Sequence, residues 1–201
     1  MVNLFQYNTN SIEFNKYWDL NFPESNPIGH ELKGVYPNRW LRIHSLPESK
    51  RYAKSEDEYK IILDRQNKLI SELIGENTEI IIVSGQYEME LTDKISTELS
   101  KYGKFKKSRT IELHKIYPEE YEDDFFYDVY FRPDSWRINS QNKLLKNIAD
   151  DEFRAMFVCP KRNCIVAPYD GGMDIIVENQ EKRDILKNKY KDWLSEREDG
   201  M

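Results

Sequence analysis

Between Arg39 and Tyr52 the chain reads Arg-Trp-Leu-Arg-Ile-His-Ser-Leu-Pro-Glu-Ser-Lys-Arg-Tyr, which gathers Arg42, His44, Ser45, Ser49, Lys50, Arg51 and Tyr52 into one short segment. A guanidinium fork, an imidazole, hydroxyls and loop amides all donate hydrogen bonds, and an acceptor-only anion such as phosphate or carboxylate takes such bonds up. Charge-assisted bonds of this kind are worth about 1.5–3 kcal/mol each, so two or three overcome a mildly acidic envelope. A structural ion-pair network draws on the same residue types, with Arg42 on an internal carboxylate and Lys50 and Arg51 in solvent. Residue types alone leave both readings open.

The second segment is Pro168-Tyr169-Asp170-Gly171-Gly172-Met173-Asp174. Adjacent glycines permit positive φ or the close approach of a ligand, while Asp170 and Asp174 could bind a metal or orient His44 as a base. Asp-Gly is equally the commonest tight-turn dipeptide, in which Asp170 bonds its own backbone. In a catalytic version Arg42, Lys50 and Arg51 hold the anion, His44 is the general base and Asp170 orients it. Ser45, Ser49, Tyr52, Tyr169 and Asp174 then complete the ligand contacts. No metal and no cofactor are expected.

These segments need elements to carry them. Alternation from Arg39 to Ser45 predicts a strand with Leu41 and Ile43 on the core face and Trp40, Arg42 and His44 on the other. Ser55-Glu56-Asp57-Glu58 reads as a capping box, opening a helix whose stripe is Tyr59, Ile62, Leu63, Leu69, Ile70 and Leu73 and which stops at Gly75. Glu79 to Ser84 is continuously apolar and β-branched, as in a strand covered on both faces. Strand, helix and strand together predict a right-handed βαβ unit. Arg109 to Ile116 and Asp124 to Arg132 read as an antiparallel pair, and Phe153 to Cys159 with Cys164 to Pro168 as a hairpin. A short N-terminal helix around Ile12 to Trp18, a helix from Lys143 to Asp150, a strand from Met173 to Val177 and a last helix capped by Asn179 complete the chain. That last helix is expected to bury Ile185, Leu186, Tyr190, Trp193 and Leu194. The expected fold is α+β, a single domain over residues 1–201, with a mixed sheet, one βαβ unit and an antiparallel C-terminal hairpin, flanked by helices.

A chain of 201 residues buries roughly 70% of its unfolded surface, which needs no metal or disulfide for support. Its net charge of -6 opposes unspecific attraction to phosphate backbones and favours a basic protein partner. Nucleic acid is disfavoured further because no basic groove with interleaved aromatics is present, apart from the weak run Lys101 to Arg109. Met1 to Asn8 lacks a basic start and an apolar stretch, and no run approaches the ~20 residues of a membrane helix. The expectation is a cytoplasmic protein without membrane contact. Cys159 and Cys164, the only cysteines, read as reduced thiols, with a cross-strand disulfide as the alternative. Sharper motifs fail: His30-Glu31 opens like a zinc-protease helix, but Gly34 stands where the second His must be. Ser140 and Lys143 have the spacing of a nucleophile pair without its companion motifs. The acidic run Glu119 to Asp124 reads as a solvated loop.

Taken together, Trp40 to Pro47, Ser49 to Tyr52, Pro168 to Asp174 and Asp192 to Ser195 resemble a family of uncharacterised bacterial proteins of similar length. The C-terminal part is similar, more loosely, to a domain-of-unknown-function family with a Tyr-Asp-Asp-Arg-Gly-Met-Asp turn, a following strand and a helix ending in Trp. This chain has Gly171-Gly172 where that turn has Asp-Arg-Gly. The resemblance implies which residues sit together and implies no reaction. Sequence therefore points to a bacterial recognition or interaction module, of immunity type toward a basic effector. The alternative is an enzyme or small-ligand binder for an anionic, phosphorylated or carboxylated molecule.

Overall fold

Of these residues the computed structural model describes 11–88, 95–121 and 124–195. The Met1 to Asn8 segment and part of the acidic run, Glu122 and Asp123, lie outside the described residues. Helix α1 (Ser11–Asn21) and the short α2 (Leu32–Val35) precede strand β1 (Trp40–His44), and α3 (Glu56–Ile74) leads into β2 (Thr78–Glu88). After α4 (Thr97–Ser100) come β3 (Lys106–Glu112), α5 (Leu113–Ile116), β4 (Phe126–Trp136) and α6 (Asn142–Ala149). Strands β5 (Ala155–Cys159), β6 (Cys164–Tyr169) and β7 (Gly172–Ile176) follow, then α7 (Gln180–Lys189).

The strands form one seven-stranded sheet in the order β1-β7-β6-β5-β2-β4-β3. The α+β class, the flanking helices and the antiparallel C-terminal hairpin agree with expectation. The mixed sheet does not, because each pairing in it is antiparallel. Strands β1 and β2 do run in the same direction on either side of α3, as a βαβ crossover requires, but β7, β6 and β5 stand between them. Local sequence encodes the crossover; it carries no record of which later strands enter the gap. A second correction falls at Leu113 to Ile116, expected to extend a strand and instead one helical turn ahead of Pro118. There the Leu113 amide still bonds the Phe125 carbonyl, at 3.0 Å, before the chain turns away. In α7, Leu186 and Tyr190 are buried as expected, whereas Ile185 faces solvent.

Both faces of the sheet are covered, which accounts for the unbroken apolar run in β2. Ile80 and Ile82 point to the face where Leu69, Ile70 and Leu73 of α3 and Leu144, Leu145 and Ile148 of α6 pack. Ile81 and Val83 point to the other, under Phe14 and Trp18 of α1 with Phe22, Ile28 and Leu32. Fully burying such an aliphatic side chain contributes about 1.5–3 kcal/mol, so this two-sided packing holds the sheet ends in place. Ser55 caps α3 as expected, accepting from the Glu58 amide at 3.3 Å. The Glu58 carboxylate reaches one residue further back than a capping box predicts and accepts from the Lys54 amide at 2.6 Å. Among the described residues no helix is long and apolar enough to cross a membrane.

Candidate functional site

Strands β1 and β7 pair with Arg42 opposite Asp174 and His44 opposite Gly172, so the cationic segment and the double-glycine turn meet at one end of the sheet. Directly opposed residues share a face. Asp174 consequently receives Arg42 as a fork, Nε to Oδ1 and Nη2 to Oδ2 both at 2.8 Å, and the Trp40 indole N–H at 2.9 Å. The Arg42 guanidinium also lies over the Tyr169 ring, 4.8 Å from its centroid. With side chains only 14% and 7% exposed, Arg42 and Asp174 form a buried bidentate pair. Close approach of the two strands depends on Gly172, because a Cβ there would lie 2.1 Å from the Ile43 carbonyl oxygen.

Asp170 is buried at the turn and accepts from Arg51 Nε, while Arg51 itself is mostly solvent-exposed. Tyr52 also bonds Asp170, and that bond holds the Tyr52 hydroxyl above its ordinary pKa. Lys50 is engaged elsewhere, on the Glu58 carboxylate at the start of α3. Ser45 is buried and accepts from Gln66 Nε2 at 3.1 Å. Ser49 is exposed, following Glu48 through two left-handed backbone positions. His44 is 8% exposed and neither ring nitrogen makes a well-formed hydrogen bond, with the Gly171 backbone as a weak partner that only partly offsets burial. Burial first, and the charge of Arg42 second, push its pKa below the ordinary imidazole value.

Stability should respond accordingly. The unfolded chain takes up a proton at His44 near the ordinary pKa of about 6.5, before the folded chain does, so protonation favours unfolding. The contribution of His44 is therefore complete above that pH and is lost as pH falls through and below it. Urea melts at pH 7.5 and pH 5.0 should show a larger loss for the natural chain than for His44→Phe. An equal loss in both would place the titration elsewhere.

Arg42, Arg51, Tyr169, Asp170 and Asp174 line a common cleft of about 260 Å³. His44, Ser45, Ser49, Lys50 and Tyr52 are not part of that lining. The opposite wall comes from residues that sequence reasoning did not select: His30, Tyr127, Asp151 and Arg154. His30 figured there only as the start of an incomplete zinc motif, and Asp151 lies one residue beyond the helix expected from Lys143 to Asp150. Arg154 Nη2 faces Asp151 Oδ1 at 3.6 Å, the third guanidinium–carboxylate match in the cleft. A second cleft of about 480 Å³ shares the wall of His30, Tyr127, Asp151 and Arg154 and adds Glu98 and Glu152. The Tyr127 ring, which lines both, lies across Gly85, where a Cβ would come within 2.2 Å of it.

Fold and site thus define an antiparallel α+β sheet protein with a charge-paired cleft at one sheet end. The chain belongs to the family described as Domain of unknown function (DUF3885), whose profile matches residues 28–198 and so spans both the cationic segment and the glycine turn. No curated protein and no solved structure matches it.

Proposed function

We propose that this chain is a recognition module that binds a basic segment of a partner protein along the two clefts, with no bond-breaking step. The observation carrying this reading is the charge pattern. In the first cleft Arg42, Arg51 and Arg154 are each matched by Asp174, Asp170 and Asp151. The second is lined by Glu98, Asp151 and Glu152 with Arg154 as its guanidinium; Glu98 is bonded by Lys101 at 2.6 Å and Asp151 faces Arg154, so Glu152 brings the lining its excess negative charge. An entering anion would have to displace the buried Arg42–Asp174 pair, whereas an entering lysine or arginine meets Glu152 and the more exposed Asp151 and Glu98, whose present partners are themselves exposed and more easily exchanged. The net charge of -6 would speed capture through long-range attraction. A bacterial cytoplasmic protein of immunity type, masking a basic effector, is the specific form of this proposal.

The alternative, an enzyme or binder for a phosphorylated or carboxylated small molecule, is favoured by the three arginines of the first cleft. It would require His44 to act without the Asp170 partner, since Asp170 is taken by Arg51 and Tyr52. Fluorescence anisotropy with a labelled lysine-rich peptide separates the readings. Reversing charge in the groove with Asp151→Lys/Glu152→Lys should weaken binding at least about tenfold, or ~1.4 kcal/mol. The same charge change at the far end of the sheet, Glu79→Lys/Glu181→Lys, should leave it within about twofold, because a distant exposed charge is screened. Equal weakening by both pairs would reduce the interaction to bulk charge. A thermal shift with inorganic phosphate, nucleotides or sugar phosphates, lost in Arg42→Met, would favour the alternative.

A further inference from the structure

At the opposite end of the sheet from the clefts, the β5–β6 register places Cys159 directly across from Cys164, both free and buried on the same face. Opposed residues in an antiparallel ladder have Cα atoms about 4.5–5.5 Å apart, within the ~4.4–6.8 Å span of a disulfide, so bond formation requires no change of register. Between them runs the tight turn Pro160–Arg162, closed by Asn163 in the left-handed conformation at φ 43°. A separate cavity of about 140 Å³ reaches Cys164 and is lined by Lys161, Arg162 and Lys182 against the single carboxylate of Glu178. Nothing in the partner-binding reading uses this pair or this cavity.

We propose that Cys159 and Cys164 form a reversible redox dithiol, oxidised by a small carboxylate-bearing disulfide that enters through the cavity beside the hairpin turn. The cationic lining selects the charge of the reagent, and the cavity brings it against Cys164. The pair is also poised for exchange. A hydrogen bond from Cys164, together with the amides and charge of the Lys161–Arg162 turn, draws the Cys159 thiol below the ordinary range. The same bond and its burial hold the proton on Cys164. In the first step the Cys164 proton moves along the hydrogen bond to the Cys159 thiolate, and the Cys164 thiolate so formed attacks one sulfur of the small disulfide and expels one small thiolate. In the second the Cys159 sulfur attacks the mixed disulfide at Cys164, and its proton leaves with the second small thiol. Two protein sulfurs are oxidised to one disulfide, and one small disulfide is reduced to two thiols.

The test incubates the full, folded and reduced chain with glutathione disulfide, with cystamine as a cationic comparator, and reads intact mass after thiol alkylation. The expected product is unalkylated and lighter by two hydrogens. It should form roughly tenfold faster with glutathione disulfide, the scale on which a charged pocket steers a small reactant. Cys159→Ser should halt at a mixed disulfide on Cys164. Retention of both thiols by the folded natural chain, or equal rates with the two reagents, overturns the proposal, and neither result depends on whether the variant folds. Because the clefts lie at the other end of the sheet, peptide binding there is measured independently.

Discussion

Asp174→Ala is expected to destabilise the protein by about 3–5 kcal/mol, the range found when one partner of a buried ion pair is removed. Two losses combine. The Arg42 guanidinium keeps its burial and loses both of its 2.8 Å bonds to Asp174, and the Trp40 indole N–H loses its acceptor. The cost arises from the stranded charge and much less from the attraction itself. Replacing both members, Arg42→Met with Asp174→Leu, should therefore recover most of the stability, because an apolar pair of similar volume incurs no desolvation. Urea denaturation of the two variants beside the natural chain measures this difference. A single-variant loss below about 1 kcal/mol would show that Arg42 reaches solvent, as an exposed pair would.

The second large effect is expected at Gly172. An added Cβ would meet the Ile43 carbonyl oxygen at 2.1 Å and the His44 Cα at 3.1 Å. Both contacts are backbone, so no rotamer change relieves them, and β1 must separate from β7. We expect Gly172→Ala to cost about 3 kcal/mol or more, at the upper end of overpacking effects. It should also abolish peptide binding, because Arg42 and Asp174 meet only through that pairing. Gly171→Ala is the informative control. There the nearest atom, at 2.8 Å, belongs to the outer edge of the Tyr169 ring, which can turn aside. Its cost should be about 1 kcal/mol, with the pairing retained. Equal effects at the two glycines would contradict the assigned register. Chemical denaturation with near-ultraviolet circular dichroism reads both quantities.

What could be read from the sequence was what is encoded locally. Leu41 and Ile43 alternate with Trp40 and Arg42 whatever β1 pairs with, and Ser55 caps α3 through an amide three residues away. The sheet order was not legible, since it depends on β7 returning to β1 across more than half the chain. A similar divide runs through the site. The donor-rich segment and the aspartates were visible as residue types, whereas their mutual neutralisation belongs to tertiary structure. Lys50 illustrates this, because its partner Glu58 was visible only as the second half of a helix cap. His30, Asp151 and Arg154 gave no signal of a shared site: a 3-10 turn, the turn after α6 and the residue before β5 converge there only after the sheet closes. The crossover β1–α3–β2 was readable as a parallel relation and unreadable as a separation, for no residue between Trp40 and Glu88 reports the strands that will intervene.

An NMR titration of the full chain, following backbone amides and the arginine Nε–H groups while the lysine-rich peptide is added, tests the binding of a basic segment most directly. The expected result is a set of shifts confined to the cleft walls, from Ser84 to Tyr87, Glu98, Asp151 to Arg154 and Tyr169 to Asp174, with inorganic phosphate leaving the Arg42 and Arg51 Nε–H signals unmoved. Shifts spread over the whole acidic surface, or phosphate moving those two arginine signals while the peptide does not, would contradict it.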